Sequence, residues 1–243
     1  MSRRKDEFEK NFLLQRMADR DMIIDMHLHT VEYSGDSVLP VEEAIRRGLE
    51  IGLDGICVTD HESLGIMGRA EELTRRYEFL VIPGVEILTL QGDFLAFGLE
   101  EVPSGKIDFA ELQRLLRKKE GFAVAAHPYR DNGRGAEDRL FGLEEPFGIE
   151  VYNGRTKPCH NLQALETAGL LGSLRTGGSD AHSLPEVGRF ATKIHAPVRH
   201  LRDFLAALRE GKASPVEYRE GAFREPLFRD LGVSPVEACA GAV

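Results

Sequence analysis

Metal-ligating side chains recur along this chain, and nearly all of them follow short, β-branched stretches that are typical of strands. Imidazoles together with carboxylates are the ligands expected for zinc, iron or manganese. Residues at the ends of successive strands in an α/β barrel meet on one rim. The series therefore predicts a polynuclear metal site around His27, His29, Asp60, His61, Glu86, His127, Asn153, Asp180 and His182, to which the loop residue Asp36 could contribute.

Two short motifs pair such side chains at positions i and i+2. His27 and His29 in "IIDMHLH" would share one face of a strand, so both imidazoles could reach one ion. In isolation, two partly buried structural histidines explain this motif equally well. Asp180 and His182 in "GGSDAHS" repeat the spacing with a carboxylate. The recurrence of such motifs at strand ends favours metal ligands.

Three acidic residues give less specific signals. Glu86 ends an otherwise apolar strand, where an unpaired carboxylate is costly to bury. It is predicted either to bridge two metal ions or to form a salt bridge inside the fold. Asp36 follows a glycine and is either a ligand or a turn residue. Asp60 precedes His61 and either orients that imidazole or caps the following turn.

Strand-like and helix-like segments alternate along the chain. Repeated β-α units predict parallel strands, and about seven units predict a closed or nearly closed α/β barrel. One domain is expected over 22–213, preceded by a lead-in helix at 1–21 and followed by a tail at 214–243. The predicted strands are 22–27, 55–59, 80–86, 122–126, 148–152, 174–176 and 192–195, and the predicted helices are 40–51, 65–77, 109–120, 161–170 and 201–209. A hairpin is predicted with its turn at 91–93.

Composition narrows the class of protein. The 243 residues suffice for one sizeable core, and a net charge of −9 disfavours a nonspecific grip on long nucleic acid. Bound cations could still let a negative protein bind a small phosphate. Three cysteines without CxxC spacing predict a reducing cytoplasm rather than a disulfide framework. No signal peptide or membrane span is expected, because no apolar run approaches about 20 residues.

The order of motifs HxH, TDH, PGVE, AHP, EVYN and GSDAH resembles the PHP (polymerase and histidinol phosphatase) family of metal-dependent phosphoesterases, over roughly residues 23–190. This resemblance implies a distorted (β/α)7 TIM-like barrel with two to three divalent ions of zinc, manganese or iron at its rim. The implied ligands of the first ion are His27, His29, Glu86 and Asp180. Glu86 would bridge to a second ion held by His127, and Asp36, His61 and His182 would hold a third.

The chain departs from the family pattern at Asn153, where many members have histidine or cysteine. Asn153 is predicted either to ligate the second ion weakly through its carbonyl oxygen or to be a structural hydrogen-bonding residue. The chain also has only about 40 residues between PGVE and AHP, so it lacks the long insertion of some members. It is therefore expected to be a compact form of the family.

The predicted reaction is hydrolysis of a small phosphate ester, either a monoester or a diester, with nucleotide-derived esters among the candidates. The expected nucleophile is a metal-bound hydroxide, and no GxSxG or P-loop motif competes for that role. Asp60, next to the predicted ligand His61, is a candidate for transferring protons without binding a metal ion itself. Cations that follow the ligand-bearing strands could contact the phosphate, namely Arg130, Arg155, Lys157 and Arg189.

Two other functions stay open. A metal-dependent amidohydrolase would use a similar rim to attack a carbonyl group. A catalytically silent, metal-binding regulatory module would be expected to have lost ligands, whereas here all but one of the implied ligands are present. Assays of the metal-loaded protein on phosphate esters and amides would separate these possibilities.

Overall fold

A computed structural model describes residues 20–144 and 146–227 of the chain. The predicted lead-in helix, except for its last two residues, and the end of the predicted tail lie outside the described residues. The strands of the described part are β1 (Met22–Leu28), β2 (Gly55–Val58), β3 (Leu80–Pro83), β4 (Val85–Leu88), β5 (Asp93–Phe97), β6 (Phe122–Ala125), β7 (Gly148–Asn153), β8 (Leu174–Gly178), β9 (Phe190–Ile194), β10 (Ala213–Arg219) and β11 (Ala222–Arg224). Its α-helices are α1 (Val41–Ile51), α2 (Met67–Tyr77), α3 (Phe109–Arg117), α4 (Pro158–Leu171) and α5 (Leu201–Arg209).

The strands form two sheets, with the orders β11-β10-β9-β1-β2-β3 and β4-β5-β6-β7-β8. β1, β2 and β3 are parallel, as are β6, β7 and β8, and these strands carry the predicted β-α units. Isolated bridges join Leu28 to Ala181 and His61 to Glu86 between the two sheets. The fold is thus a mixed α/β single domain, and the strand ladders of the described residues do not close into the expected TIM-like barrel.

Reversed strands and a break between two sheets distinguish the fold from the predicted parallel β/α barrel. β5 runs antiparallel to both β4 and β6, and β9 runs antiparallel to β1. The predicted strand 80–86 is two strands in different sheets, separated at Gly84. A Cβ atom at position 84 would lie 2.6 Å from the Phe97 ring, so only glycine fits where the chain passes between sheets. Beyond the last predicted helix, β10 and β11 extend the first sheet, although little structure was expected there.

Aromatic packing holds the second sheet under its helix. The Phe109 ring of α3 lies 4.4 Å from that of Phe94 in β5 and 5.4 Å from that of Phe147. All three rings are almost fully buried, so this contact anchors the β4-β5 hairpin. α3 begins where the Asp108 carboxylate accepts a hydrogen bond from the Glu111 N–H at 2.8 Å.

The cysteines differ from the sequence-based expectation. Cys57 is free and buried in β2. Cys159 takes part in a disulfide bond, so the prediction that the cysteines are reduced is wrong for this residue. Among the described helices, none is both long and apolar enough to cross a membrane.

Candidate metal centre

Several strand ends deliver polar side chains to one rim of the fold. His27 lies near the end of β1 and His29 directly follows that strand, while Glu86 lies in β4. His127 follows β6 after one intervening residue, and Asp180 follows β8 in the same way. All five residues are buried, although three are imidazoles and two are carboxylic acids. Burying such groups together requires compensation by strong polar contacts or by cations.

Glu86 lies at the centre of the imidazoles. Its Oε2 atom is 3.3 Å from His27 Nε2, 3.2 Å from His29 Nε2 and 3.2 Å from His61 Nδ1. Its Oε1 atom is 2.9 Å from His127 Nε2. One carboxylate thus faces four imidazole nitrogens and could contribute its two oxygens to two different ions.

Asp180 follows β8, in the same sheet as Glu86, and faces His27 and His29 of the other sheet. Its Oδ1 atom is 3.5 Å from His27 Nε2 and 3.4 Å from His29 Nε2. Its Oδ2 atom accepts hydrogen bonds from Arg130 Nη2 and from Asn153 Nδ2, the latter at 3.2 Å. The four groups implied for the first ion are therefore brought together, because Glu86 and Asp180 both contact His27 and His29.

A second cluster lies toward the solvent. Asp36 Oδ2 is 3.2 Å from His61 Nε2 and 3.2 Å from His182 Nε2. The His29 ring packs against both imidazoles, at 4.4 Å from His61 and 4.3 Å from His182. Candidate ligand atoms of these four residues all lie within 4.8 Å of one another. The residues implied for the third ion are thus adjacent, and His29 lies between this cluster and the first.

Two of the candidate ligands have an unusual backbone conformation. His127 has a φ of 30° and Asp180 a φ of 54°, in the left-handed region that residues with a Cβ atom rarely adopt. Such conformations cost roughly 1–3 kcal/mol each and concentrate at functional sites. The strain at both residues favours a functional role for this rim over a purely structural one.

The chemistry of the donor set fits divalent cations. The Nε2 atoms of His27 and His29 lie 3.1 Å apart, and both point toward carboxylate oxygens. Among the described residues, the Nδ1 atoms of His29 and His127 are buried without a hydrogen-bond partner. Imidazole nitrogens and carboxylate oxygens that converge in this way form a typical site for zinc, iron or manganese.

Electrostatics within the cluster keeps its groups charged. Burial alone would raise the pKa of Glu86, but His27 and the hydrogen bonds from His127 hold it well below its usual value. Burial likewise opposes ionisation of Asp180, and His27 nevertheless holds its pKa well below the usual value. Burial would lower the pKa of His27, yet Asp180, Glu150 and Glu86 together raise it well above its usual value. Metal binding would therefore displace a proton from His27 while Glu86 and Asp180 remain ionised.

Asp93 is a candidate ligand that the sequence interpretation missed. It lies at the start of β5, fully buried, and candidate ligand atoms of Asp93, Glu86 and His127 lie within 4.8 Å of one another. Burial, together with the charge of Glu86, raises the pKa of Asp93 to about 6, although Arg134 pairs with it at 2.6 Å. An ion here would relieve the repulsion between the two carboxylates. A buried Asp at the start of an apolar strand was the available signal, but the residue was assigned to the turn.

The Asp93→Asn variant is expected to bind about one divalent ion fewer per chain, because a neutral amide is a weaker ligand and weakens the contact with Arg134. Inductively coupled plasma mass spectrometry after loading with manganese or zinc measures this. Asp131→Asn, an exposed change nearby in the chain, is the matched control. Equal metal content in the two variants would show that Asp93 is not a ligand.

Asn153 lies next to the cluster but is occupied by other contacts. Its side-chain oxygen accepts hydrogen bonds from Arg130 Nη2, from the Arg155 N–H at 2.9 Å and from Thr156 Oγ1 at 3.0 Å. Its amide nitrogen donates to Glu150 at 2.9 Å and to Asp180 at 3.2 Å. Of the two roles predicted for Asn153, these contacts favour the structural hydrogen-bonding one.

Asp60 does not orient His61 in the way that was considered. Its carboxylate accepts hydrogen bonds from the backbone N–H of Thr30 at 2.5 Å and from the Thr30 hydroxyl at 2.8 Å. Burial raises the pKa of Asp60 to about 6 in spite of these bonds. Asp60 therefore holds Thr30, the residue after His29, in place. The His61 imidazole faces Asp36 and Glu86 instead.

A polar cavity of about 330 Å³ opens above the cluster. Arg130 and Arg155, both predicted phosphate contacts, line it, as does Arg134, which was not predicted. The other two predicted contacts are not among its lining residues. Lys157 is exposed just before α4, and the Arg189 guanidinium donates to the Gly154 carbonyl at 2.7 Å. The complete lining consists of Asp36, His61, Glu86, Asp93, His127, Arg130, Asn132, Arg134, Arg155, Asp180 and His182.

Two solved structures share this fold. A protein of Bifidobacterium adolescentis, proposed to be a metal-dependent phosphoesterase, superposes with a TM-score of 0.55 at 17% identity over 66% of this chain and 87% of that one. An amidohydrolase of Chromobacterium violaceum, with bound sulfate and no metal, superposes with a TM-score of 0.54 at 18% identity over 81% of this chain and 98% of that one. At these identities the similarity concerns the fold alone.

Sequence comparison identifies the family. The PHP domain profile matches residues 25–129, and a PHP-associated profile matches residues 158–213. The uncharacterised protein MJ0417 of Methanocaldococcus jannaschii is 30% identical over 180 residues, which cover 71% of this chain and 70% of the relative. The PHP match includes the HxH, TDH, PGVE and AHP motifs at the rim described above. The chain belongs to the PHP family.

Proposed function

We propose that this protein is a metal-dependent hydrolase of small phosphate esters, acting on monoesters or diesters with two or three ions of zinc, manganese or iron. The observation that carries the proposal is the position of Glu86, whose two oxygens lie within 3.3 Å of four imidazole nitrogens beneath a cavity lined by arginines. That arrangement combines metal ligands with anion-binding groups in one concave site.

Bound divalent ions would activate water and neutralise the charge that develops on phosphoryl oxygens. The residues around them would hold and orient the substrate. Arg155 is the cation best suited to receive an incoming phosphate, because its nearest carboxylate, Glu186, lies 3.6 Å away. Arg130 is already engaged by Asp180, Asn153 and Thr156, and would act mainly by keeping Asp180 in place.

The size and charge of the site favour a small substrate. The cavity of about 330 Å³ is at the lower end of the range for small-molecule sites, and the net charge of −9 disfavours a long polyanion.

The second candidate function is hydrolysis of an amide, because that same neighbour is an amidohydrolase. The three arginines of the cavity favour the phosphate ester, since a neutral amide does not require them. A catalytically silent module is a weaker candidate, because the implied imidazole and carboxylate ligands are all present and adjacent.

The deciding experiment is an assay of the purified protein loaded separately with manganese, iron and zinc. We expect turnover of p-nitrophenyl phosphate or bis(p-nitrophenyl) phosphate, and none of p-nitroacetanilide. Turnover of the amide alone would support the second candidate. Absence of turnover with all three metals on all three substrates would refute an enzymatic role for these substrate classes.

The Arg155→Ala variant is expected to raise the KM for the phosphate ester about ten-fold or more with a smaller change in kcat. A hydrogen bond to a charged group contributes about 1.5–3 kcal/mol, which corresponds to at least ten-fold in affinity. Lys157→Ala is the matched control, because Lys157 is an exposed cation two residues away that does not line the cavity. Equal effects of the two changes on KM would contradict a specific role for Arg155.

A further inference from the structure

Glu150 lies behind the metal centre and contacts it from the side away from the cavity. It is in β7, with 1% of its surface exposed. Its Oε1 atom is 3.0 Å from His27 Nδ1. Its Oε2 atom accepts hydrogen bonds from the His127 backbone N–H at 2.8 Å and from Asn153 Nδ2 at 2.9 Å. One carboxylate thus connects the end of β1 with the segment after β6 and with the last residue of β7.

These contacts determine which nitrogen of His27 carries a proton when the opposite nitrogen binds an ion. Glu150 Oε2 accepts two hydrogen bonds, and Oε1 faces His27 Nδ1 at 3.0 Å, so the geometry favours a proton on Nδ1 that is donated to this oxygen. The Nε2 atom is then free of its proton and faces Glu86 and Asp180. A carboxylate behind a metal-binding imidazole commonly orients the ring in this way.

The neighbouring strand leaves room for this contact. Gly178 in β8 lies against the pair, and a Cβ atom there would lie 2.5 Å from the His27 Cβ and 2.7 Å from Glu150 Oε1. Any larger residue would separate the carboxylate from the imidazole. The contact between His27 and Glu150 therefore requires a glycine at position 178, the second glycine of "TGGSD".

We propose that Glu150 is a positioning residue that sets the tautomer of His27 and, through the backbone of His127, the spacing of two metal ligands. The proposal rests on the metal site proposed above. Glu150 is not itself a ligand, because both of its oxygens face hydrogen-bond donors and it belongs to none of the candidate ligand groups of the described residues.

Replacement by glutamine tests the two acceptor oxygens without changing the volume. A carboxamide has one acceptor oxygen, so its NH2 group must face either His27 Nδ1 or the two donors from His127 and Asn153. The first orientation transfers the His27 proton to Nε2, where it competes with the metal. The second leaves two donors of the protein facing the NH2 group. Either arrangement weakens the site.

The Glu150→Gln variant is expected to bind zinc about 10–100-fold more weakly in calorimetric titration. Glu166→Gln is the matched control, because it makes the same chemical change on an exposed position of α4. The control is expected to bind zinc with unchanged affinity. Unchanged affinity in Glu150→Gln would overturn the proposal.

A second measurement needs no variant and no turnover. In long-range ¹H–¹⁵N correlation spectra of the zinc-loaded protein, we expect the proton of His27 on Nδ1. A proton on Nε2 would overturn the proposal even if Glu150→Gln failed to fold. A protein that showed the expected tautomer but hydrolysed no phosphate ester would refute the proposed function and leave the role of Glu150 intact.

Discussion

Replacing Glu86 with glutamine is expected to remove at least about one divalent ion per chain and to reduce turnover of a phosphate ester by at least about 100-fold. Glu86 Oε2 lies within 3.3 Å of nitrogens of His27, His29 and His61, and Oε1 lies 2.9 Å from His127 Nε2. A glutamine would keep the shape but place an NH2 group against imidazole nitrogens. Metal analysis and kinetics with p-nitrophenyl phosphate on the same preparation measure both effects.

Glu166→Gln again serves as the control for the chemical change, and circular dichroism verifies that both variants are folded. If Glu86→Gln lost activity but kept its full metal content, Glu86 would act on the reaction without being a ligand. If Glu86→Gln kept its full metal content and its rate, the bridging role would be wrong. The buried carboxylate would then be a salt-bridge partner of the histidines, which was the alternative that the sequence left open.

The parallel part of the fold explains why much of the site was predictable. His27, His29, His61, His127 and Asp180 lie at or just beyond the carboxyl ends of parallel strands, and such ends meet at one edge. The strands were recognisable from their apolar residues. Because parallel strands point the same way, the ligands at their carboxyl ends could be expected to lie close together. Asp36 and His182 could be predicted to lie there too, because the loops that carry them leave the sheets at this same edge.

Reversed strands explain what was missed. Asp93 begins β5, and in an antiparallel neighbour the first residue, rather than the last, lies at the functional edge. The register pairs Leu88 with Asp93 and Phe94 with Ala125, which places Asp93 beside the segment that carries His127. The predicted hairpin already reversed β5 relative to β4, but it assigned Asp93 to the turn rather than to the strand. The antiparallel pairing of β9 with β1 was not predicted, because apolar periodicity does not encode which strands pair or in which direction.

The hydrogen-bond partners of polar side chains near the site could not be predicted from the sequence either. Asn153 and Asp60 are polar residues next to ligands, and nothing in their local sequence separates a metal ligand from a structural acceptor. In the fold, the Asp60 carboxylate accepts hydrogen bonds from Thr30. The Asn153 side-chain oxygen accepts them from Arg130 and from the Arg155 backbone N–H. Glu150 showed the converse problem, because a glutamate within an apolar strand gave no sign that His27 would lie 3.0 Å away.

Removal of the metal ions with a chelator is expected to abolish turnover and to lower the Tm by about 5–10 °C. A ligand present at about 100 times its Kd stabilises the folded state by about 2.7 kcal/mol, and about 1 kcal/mol shifts the Tm by about 2–4 °C for a domain of this size. The physical source is the group of carboxylates at the rim: Asp36, Glu86, Asp93 and Asp180 converge there, and the metal ions would neutralise them. Differential scanning calorimetry with and without chelator measures the shift.

The Glu86→Gln variant provides the internal control for this experiment, because a protein that holds fewer ions has less stability to lose on chelation. We therefore expect a smaller chelator-induced shift in the variant than in the parent protein. Restoring zinc, manganese and iron one at a time should recover both the Tm and turnover, and the metals can be ranked by each. If chelation left the Tm unchanged while abolishing turnover, the ions would contribute to the chemistry without stabilising the fold. The buried carboxylates would then be compensated by Arg130, Arg134 and the protonated His27, whose raised pKa favours the charged imidazole.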